Sequence, residues 1–523
     1  MTNPDRPNNR VEVILKTRIG GIFMLKNVRS HESYLSFVVE QLDELYKDKT
    51  FLKTFYSEPI IWCSLIDLTD ATMLLRHRYS SNPRGRKPRQ PCDMLRSLML
   101  MHYHHISSID KWVYTLKTTP VLAILSGFSP YNVPGVGTFY DFFNRLWLGS
   151  TPHLSNRNYR KLKKPRKKGK KNQKQEPKNP KIVEKLVKRA LKNKDIKYTP
   201  KAHDQLQMIF QSLFVNKSAT QGLLGDTMSL SILGDGSPVV TGGRPYGKFL
   251  CDCRKQGNWK CQCKRQFSDP DADYGWDSSR EKYYYGRSLF MVTASDSPYD
   301  LPIYPRLYRA SKHDSVLFVS TFHELKHWYS DWKIGEVILD SALDAFPIYE
   351  MLEHYDVSAI IDLNPRRSKQ FQHKQMDINL KGVPVCPIGR EMIHWGLNQK
   401  TYRRKWRCPA VCGKWECPNP CSDSNYGRTF YTATKDNPRL FPRIKRDSKE
   451  WRKRYSLRTG VERCIKRQKV DYRLEDSRGR SSRHWNIRTY IIGMCQHADA
   501  WIKEAKKNNF VATNPIIQSF LSL

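Results

Sequence analysis

Three short apolar runs, each leading into a carboxylate, constrain the fold of this chain more than any other feature. Ser229-Leu230-Ser231-Ile232-Leu233-Gly234 alternates like a strand, and Asp235-Gly236-Ser237-Pro238 closes its apolar part. Glu336-Val337-Ile338-Leu339 runs straight into Asp340, and Ser358–Asp362 leads into Leu363-Asn364-Pro365-Arg366. Between the first two runs lie two more strand-like stretches, Tyr283–Thr293 and Leu301–Ala310, and a helical pattern over Val316–Leu325. A further helix is expected through Phe346–His354. The order β-β-β-α-β-α-β predicts an α/β fold, a mixed sheet with helices on its faces. Carboxylates at strand exits in such sheets lie where ligands bind. An acid beside Gly is also ordinary turn chemistry. Asp344 competes with Asp340, although Asp340 sits directly at the strand end, and Asp314 in His313-Asp314-Ser315 reads as a catalytic acid or, more simply, as an N-cap.

A second feature lies far along the chain, in Tyr455-Ser456-Leu457-Arg458-Thr459-Gly460-Val461-Glu462 and the segment to Lys469. At about 100° per residue, Tyr455, Arg458, Glu462 and Lys469 share one face of a continuous helix. That face would set one carboxylate among three groups able to hold phosphate. The competing reading is a capping box, in which Glu462 only satisfies backbone donors beside Thr459, and Gly460 weakens the continuous helix. If Glu462 is catalytic, it should point away from the Thr459 amide and towards Asp235 and Asp340.

The charge balance favours the first reading. Lys plus Arg number 90 against 50 Asp plus Glu, a formal charge of +40, so a polyanion such as nucleic acid is the expected partner. No run approaches the ~20 apolar residues of a membrane span, and the start MTNPDRPNNR lacks the apolar core of a signal peptide. A cytoplasmic, nucleoid-associated protein with no membrane partner is expected.

The N-terminal part reads as helical after a strand-like run at Val11–Leu15. Helical patterns run through Tyr34–Leu45, Met94–Tyr103, Ile109–Leu116 and Val121–Leu125, with the basic connector RGRKPR at residues 84–89. Thr138 is expected to cap a last helix, FYDFFNRLW, which carries Tyr140, Asn144 and Arg145. Short helices ending this way suit a helix-turn-helix-like DNA-binding unit, with Arg145 a DNA contact; a plain helical bundle fits the pattern as well. From Arg157 to Lys174 Lys and Arg dominate, no acid occurs, and Pro165 and Gly169 break any helix. Such a block stays disordered until it meets phosphate, which makes Lys167 and Lys168 candidate DNA contacts in a linker; a solvated tether is the alternative. Helices are expected over Ile182–Leu191, His203–Phe214 and Trp485–Lys503, the last with a core face, and Arg478–Arg483 is a further basic cluster.

In a cytosolic chain the 13 cysteines are expected to be reduced, so close clusters suggest metal rather than disulfides. Cys251-x-Cys253 and Cys261-x-Cys263 form one cluster; Cys408-x3-Cys412-x4-Cys417-x3-Cys421, with Cys386 upstream, forms another. Four thiolates in a short loop suit a structural tetrahedral Zn²⁺, and separate thiols are the alternative.

Together these residues resemble the DDE transposases of bacterial insertion sequences, in particular the group with the YREK signature, Tyr-x2-Arg-x3-Glu-x6-Lys. Tyr455, Arg458, Glu462 and Lys469 match it at all four positions. ILGDGSPV resembles the family's first-aspartate strand, and VILDSALDA followed by IIDLNPR its second-aspartate block. RGRKPRQP…RSLMLM…VPGVGTFYDFFNRL is similar to the helical domain that precedes such cores. The resemblance implies a ribonuclease H-like mixed-sheet core, a triad of Asp235, Asp340 and Glu462, and phosphate contacts from Tyr455, Arg458 and Lys469. It implies binding of double-stranded DNA at element ends and target, cleavage and strand transfer, and a homo-oligomer that joins two ends on DNA. The triad has its own physical reason: in-line attack on a phosphodiester is served by two hard cations about 3.5–4 Å apart, and carboxylates hold Mg²⁺ (or Mn²⁺) while leaving room for water and substrate oxygens.

The expected domains are 1–150, helical and DNA-binding; 151–181, basic linker; 182–365, first part of the core, with a Cys-rich excursion at 242–282; 366–447, a Cys-rich insertion required by the long separation of Asp340 from Glu462; and 448–523, the rest of the core and a helical tail. A non-catalytic nucleic-acid-binding protein and a general nuclease on the same scaffold are the rival functions.

Overall fold

The computed structural model describes residues 25, 27–80, 87–149, 155–158, 181–192, 197–364, 371–372, 376–477, 479–513 and 517–519. The expected strand at Val11–Leu15, the start of the RGRKPR connector, Arg366, Arg478, and Lys167 and Lys168 of the basic linker lie outside these residues.

The described part of the first 150 residues holds helices α1 (His31–Leu45), α2 (Thr50–Leu65), α3 (Thr69–Leu75), α4 (Pro91–Tyr103), α5 (Ile109–Thr118), α6 (Pro120–Leu125) and α7 (Val136–Leu146). Proline opens α4 and α6, where its missing N–H costs nothing. Thr138 does not cap α7: the N-cap is Gly135, and Thr138 lies inside the first turn, where Val136 and Gly137 already take helical positions. A strand β1 (Ser155–Asn158) follows, so the start of the basic run at Arg157 is held in a ladder rather than left free. Next come α8 (Ile182–Lys192), α9 (Asp204–Phe210), a wide turn of helix over Gln211–Val215, and α10 (Asn216–Thr220).

The central sheet contains β2 (Leu230–Val240), β5 (Asp273–Asp277), β6 (Lys282–Ala294), β7 (Pro302–Arg309), β8 (Ile334–Leu339) and β9 (Ser358–Ile361). Two short strands, β3 (Lys248–Phe249) and β4 (Lys264–Phe267), leave the sheet in the excursion and pair with β1 in the order β1-β4-β3. In the central sheet the order is β5-β6-β2-β8-β9, with β7 also on β6. Pairings of β6 with its neighbours are antiparallel, while β2-β8 and β8-β9 are parallel, so the sheet is mixed. The crossovers are α11 (Asp314–Trp328), between β7 and β8, and α12 (Phe346–His354), between β8 and β9.

The strand carrying Asp235 runs further than its apolar pattern. Ladder pairing to β6 continues through Pro238↔Ser288 to Val240↔Gly286, whereas pairing to β8 stops at Gly234↔Leu339. Thr241 donates its N–H to Tyr285 on the β6 side, and Val240 donates towards Glu475 on the other. Alternation therefore puts the nitrogen of Pro238 on the open side, where no ladder bond is lost.

After β9 comes the insertion: β10 (Phe371–Gln372), β11 (Asp377–Ile378), β12 (Pro384–Val385), β13 (Ile393–Asn398), β14 (Arg403–Arg407), helix α13 (Pro409–Gly413) and β15 (Thr429–Ala433). It forms two three-stranded sheets, β10-β11-β12 and β13-β14-β15, over its own small core of Met376, Ile378, Cys386, Met392, Trp406, Phe430, Leu440 and Phe441. The chain then returns through α14 (Lys449–Ser456), α15 (Thr459–Lys466), α16 (Ser482–Lys507) and α17 (Phe510–Thr513).

Helix α16 is the hub. Ile487, Tyr490, Ile491, Met494 and Ala498 are buried as the spacing predicts, but so are Arg488, Thr489, Ile492, Cys495 and Gln496 on other faces. A helix buried all round needs partners on every side. Here α2, α4, α7, α9 and β7 supply them, so the N-terminal helices share one continuous apolar core with the central sheet.

Candidate active site

Two adjacent parallel strands set the first two carboxylates. Gly234 and Leu339 are register partners, so Asp235, within β2, and Asp340, just past the end of β8, stand at the same level. Alternation along β2 divides the neighbours. Leu233 packs against Gly460 of α15, where a Cβ would lie 2.8 Å from its side chain, and Asp235 faces the same way. Gly236 faces the other way, and a Cβ there would come 2.3 Å from the Asp314 carboxylate at the start of α11. The two helices therefore cover opposite faces, and both glycines are required by close approach rather than by their φ.

Glu462 reaches this site from α15. That helix is locked to the β6–β7 connection by Arg463, whose Nε and Nη2 donate to Asp300 at 2.7 and 2.8 Å. Glu462 Oε1 accepts from Arg458 Nη1 at 2.6 Å, and the same nitrogen lies 3.8 Å from Asp340 Oδ1. The guanidinium thus bridges the second and third carboxylates. No capping box forms: the Thr459 hydroxyl donates to Ser456 O and accepts from Arg463, and the N-cap residue is Arg458.

Asp235 accepts, among the described residues, only from the Gly236 amide, at 2.8 Å. Burial, with the charges of Asp314, Asp340 and Glu462 behind it, pushes its carboxyl up to about 7 against the pull of that amide. Burial and Asp340 likewise raise Asp314. Asp314 is not the N-cap of α11; that place belongs to His313, whose Nδ1 accepts from Ser315 N at 3.2 Å. The carboxylate freed from capping lies against Gly236 and makes a fourth acid beside the site. Its signal in the sequence was the Asp-Gly pair at 235–236, where the glycine leaves room for a second acid.

The face expected on one continuous helix is broken. Helix α14 ends at Ser456, a turn at Leu457 and Arg458 re-aims the chain, and a wide turn over Arg467–Asp471 follows α15. Tyr455 and Arg458 still meet the carboxylates: the Tyr455 ring stacks on Trp451 at 4.6 Å, with the Arg458 guanidinium 5.9 Å from it. Burial pushes the Tyr455 hydroxyl up to about 12, with Asp340, Asp362 and Glu462 adding to it and Arg458 opposing. Lys469 turns to the open side of β2, where its ammonium donates to Pro238 O and lies 3.8 Å from Glu475.

A family model for the transposase DDE domain matches residues 235–496, a stretch that starts at Asp235 and makes up half of the chain. The chain belongs to the DDE transposases. No curated protein matches it. Among solved structures it is similar to the piggyBac transposase in a cryo-EM synaptic complex with hairpin DNA, at 10% identity and a TM-score of 0.39, over 90% of this chain and 80% of that one.

Asp344, the rival second aspartate, has a different role in this transposase. It is fully buried and accepts from Arg439 Nε and Nη2 at 2.8 and 2.6 Å, from the Tyr349 hydroxyl at 3.0 Å and from Asn364 N at 2.8 Å. A carboxylate so filled has no lone pair to offer a metal. It anchors the insertion, as do Arg443, on Glu353 and Asp356, and Arg446, on Ile361 O.

Two of the residues expected to read DNA in the N-terminal part, Asn144 and Arg145, have partners within the chain. Arg145 stacks over Tyr79 at 4.3 Å, and Asn144 accepts from Arg483 of the C-terminal basic cluster. Arg483 is itself buried, and Arg480 remains exposed. No helix among the described residues is long and apolar enough to cross a membrane.

The two cysteine clusters differ. Among the described residues Cys251, Cys253, Cys261 and Cys263 are the one group of three or more possible ligands whose donor atoms all lie within 4.8 Å of one another. Cys251 and Cys261 are 3.7 Å apart, Cys253 and Cys263 3.6 Å. Cys408, Cys412, Cys417 and Cys421 are not brought together in this way. Cys412 sits within the five-residue α13, Lys414 takes a left-handed turn after it, and Pro418 and Pro420 restrict the chain between Cys417 and Cys421.

Proposed function

We propose that this transposase binds the ends of an insertion sequence and catalyses metal-dependent strand cleavage and strand transfer at Asp235, Asp340 and Glu462, on a ribonuclease H-like sheet. One observation carries the reading: Asp235 and Asp340 stand at the same level on neighbouring parallel strands, with Glu462 tied to Asp340 through Arg458. The donor set suits a hard cation in kind, although the three carboxylates do not all come within 4.8 Å of one another as the four cysteines do. The set is all oxygen, and burial first, with the neighbouring acids adding to it, pushes the Asp235 carboxyl up to about 7. Bound Mg²⁺, or Mn²⁺, would polarise the scissile phosphate and favour hydroxide from water. The chain's own part is positioning. Arg458 and Tyr455, beside the carboxylates, would hold a backbone phosphate, and Lys469 fixes the far end of β2. Arg145, Lys167 and Lys168 are proposed to contact DNA outside the site, and two ends call for a homo-oligomer.

Purified protein with Mg²⁺ should nick a duplex carrying the inverted repeats that flank its gene. Losing one ligand forfeits several kcal/mol of transition-state stabilisation, so Asp340→Asn or Glu462→Gln should slow nicking by about 10³-fold or more. Undiminished nicking by either variant would defeat the site assignment.

The Cys251, Cys253, Cys261 and Cys263 cluster is proposed to hold structural Zn²⁺. A tetrahedral site with Zn–S of about 2.3 Å places sulfurs about 3.8 Å apart, close to the 3.7 and 3.6 Å separations. One zinc per chain is expected by elemental analysis, falling to none in Cys261→Ser/Cys263→Ser; zinc retained by that variant would refute the assignment.

A further inference from the structure

The geometry points to a second DNA contact: we propose that the outer face of the β13-β14-β15 sheet grips the phosphates of double-stranded DNA. Strand β14 alternates sharply. Trp406 and Arg404 are 2% exposed and face inward, Trp406 into the insertion's apolar core and Arg404 onto the carbonyls of Pro442 and Arg443. Of the other parity, Arg403 is exposed and Lys405 half-buried on the outer face, about 7 Å apart along the strand, while Arg407 is buried at 7% among the rings beside it.

Each of these cations rests on an aromatic ring. Arg403 lies over Tyr431 at 4.0 Å and Lys405 over Tyr426 at 4.8 Å. Arg407 lies between Trp395 and Tyr426, at 4.1 and 3.4 Å, and donates to Tyr426 O at 3.0 Å. Trp395 is placed there by the bulge between His394 and Gly396. The rings hold the cations in place and stay 51% (Trp395), 42% (Tyr426) and 41% (Tyr431) exposed.

No carboxylate pairs with any of the three cations among the described residues, although surface cations elsewhere in the chain have such partners. Three like charges in a row repel one another, and a flat face of this kind is stabilised by a polyanion. With the ring faces covered by guanidinium and ammonium groups, the sheet offers charge rather than stacking, so a duplex backbone fits better than a single strand, whose bases need free rings. The surface lies in the insertion, outside the carboxylate site, and rests on the transposase reading only for which DNA is bound.

The test compares the full chain with Arg403→Gln/Lys405→Gln in binding an end-bearing duplex across a salt series. Each phosphate that is no longer neutralised takes about 0.9 from the slope of log K against log salt. The double variant should therefore be flatter by about 2, and Thr429→Lys, which adds a cation opposite Arg407, should be steeper by about 1. Unchanged slopes in both variants, or a weakening confined to single-stranded DNA, would overturn this inference alone. Absence of any duplex binding by the unaltered chain would overturn the transposase reading with it.

Discussion

Asp235→Asn is expected to abolish nicking and, at the same time, to make the metal-free protein markedly more stable at pH 8. The Asp235 carboxyl is pushed from an ordinary 3.8 up to about 7 because folding buries it among other acids. A rise of that size corresponds to about 4 kcal/mol of penalty on the charged form. Its folded value lies above its unfolded one, so between roughly pH 4 and 7 the folded chain binds the extra proton. Stability therefore falls as pH rises through that window and levels off above it. Asparagine carries no charge, so urea midpoints of parent and variant should agree near pH 4 and separate progressively to pH 8, where the variant is ahead by up to about 4 kcal/mol. Adding Mg²⁺ at pH 8 should stabilise the parent by binding its folded form and leave the variant nearly unmoved. Parallel stability curves for the two proteins would show that Asp235 is not held among uncompensated charges.

Much of the core was legible because two different periods alternate along it. Strand-length apolar runs separated by helical patterns fix the order of β2, β6, β7, α11, β8, α12 and β9, and the ends of β8 and β9 show in the change from Ile and Leu to Asp. The end of β2 did not show, because a strand persists as long as its partner does. Thirteen-residue β6 carries it past Gly236 and Pro238, which in the sequence mark a turn. Register was equally hidden: that Asp235 and Asp340 stand level follows from the Gly234↔Leu339 pairing, a long-range fact.

The signature at Tyr455–Lys469 was readable as residue types and spacing, but its geometry was not. The helix breaks at Leu457 and Arg458 because α15 must seat Gly460 on Leu233 and Arg463 on Asp300, contacts that no local propensity encodes. Amphipathic patterns in the first 150 residues show that those helices bury one face. They do not show that the covering element is α16, hundreds of residues away. In the same way Arg439, invisible as a partner in the sequence, decides which aspartate of the Asp340–Asp344 pair is free.

That pair gives the other large effect, and it separates chemistry from folding. Asp344→Ala should unfold the junction between core and insertion rather than alter the site. It strips two bonds from Arg439 and one each from Tyr349 and Asn364, and leaves Arg439 as an uncompensated, largely buried charge. Removing one partner of such a pair costs about 3–5 kcal/mol, a large part of the stability of a typical domain. Arg439 also lends its carbonyl to Arg446, which holds Ile361 O at the end of β9, so the damage should spread to the strand beside β8. Replacing both residues, as Asp344→Asn/Arg439→Met, removes the two charges together and should recover most of the loss. Asp340→Asn, at a half-exposed position held, among the described residues, through Arg458, should leave the melting temperature within about a degree or two while nicking disappears. The two aspartates thus differ in kind: a parent-like melt with lost nicking after changing Asp344, or a collapsed fold after changing Asp340, would reverse their roles.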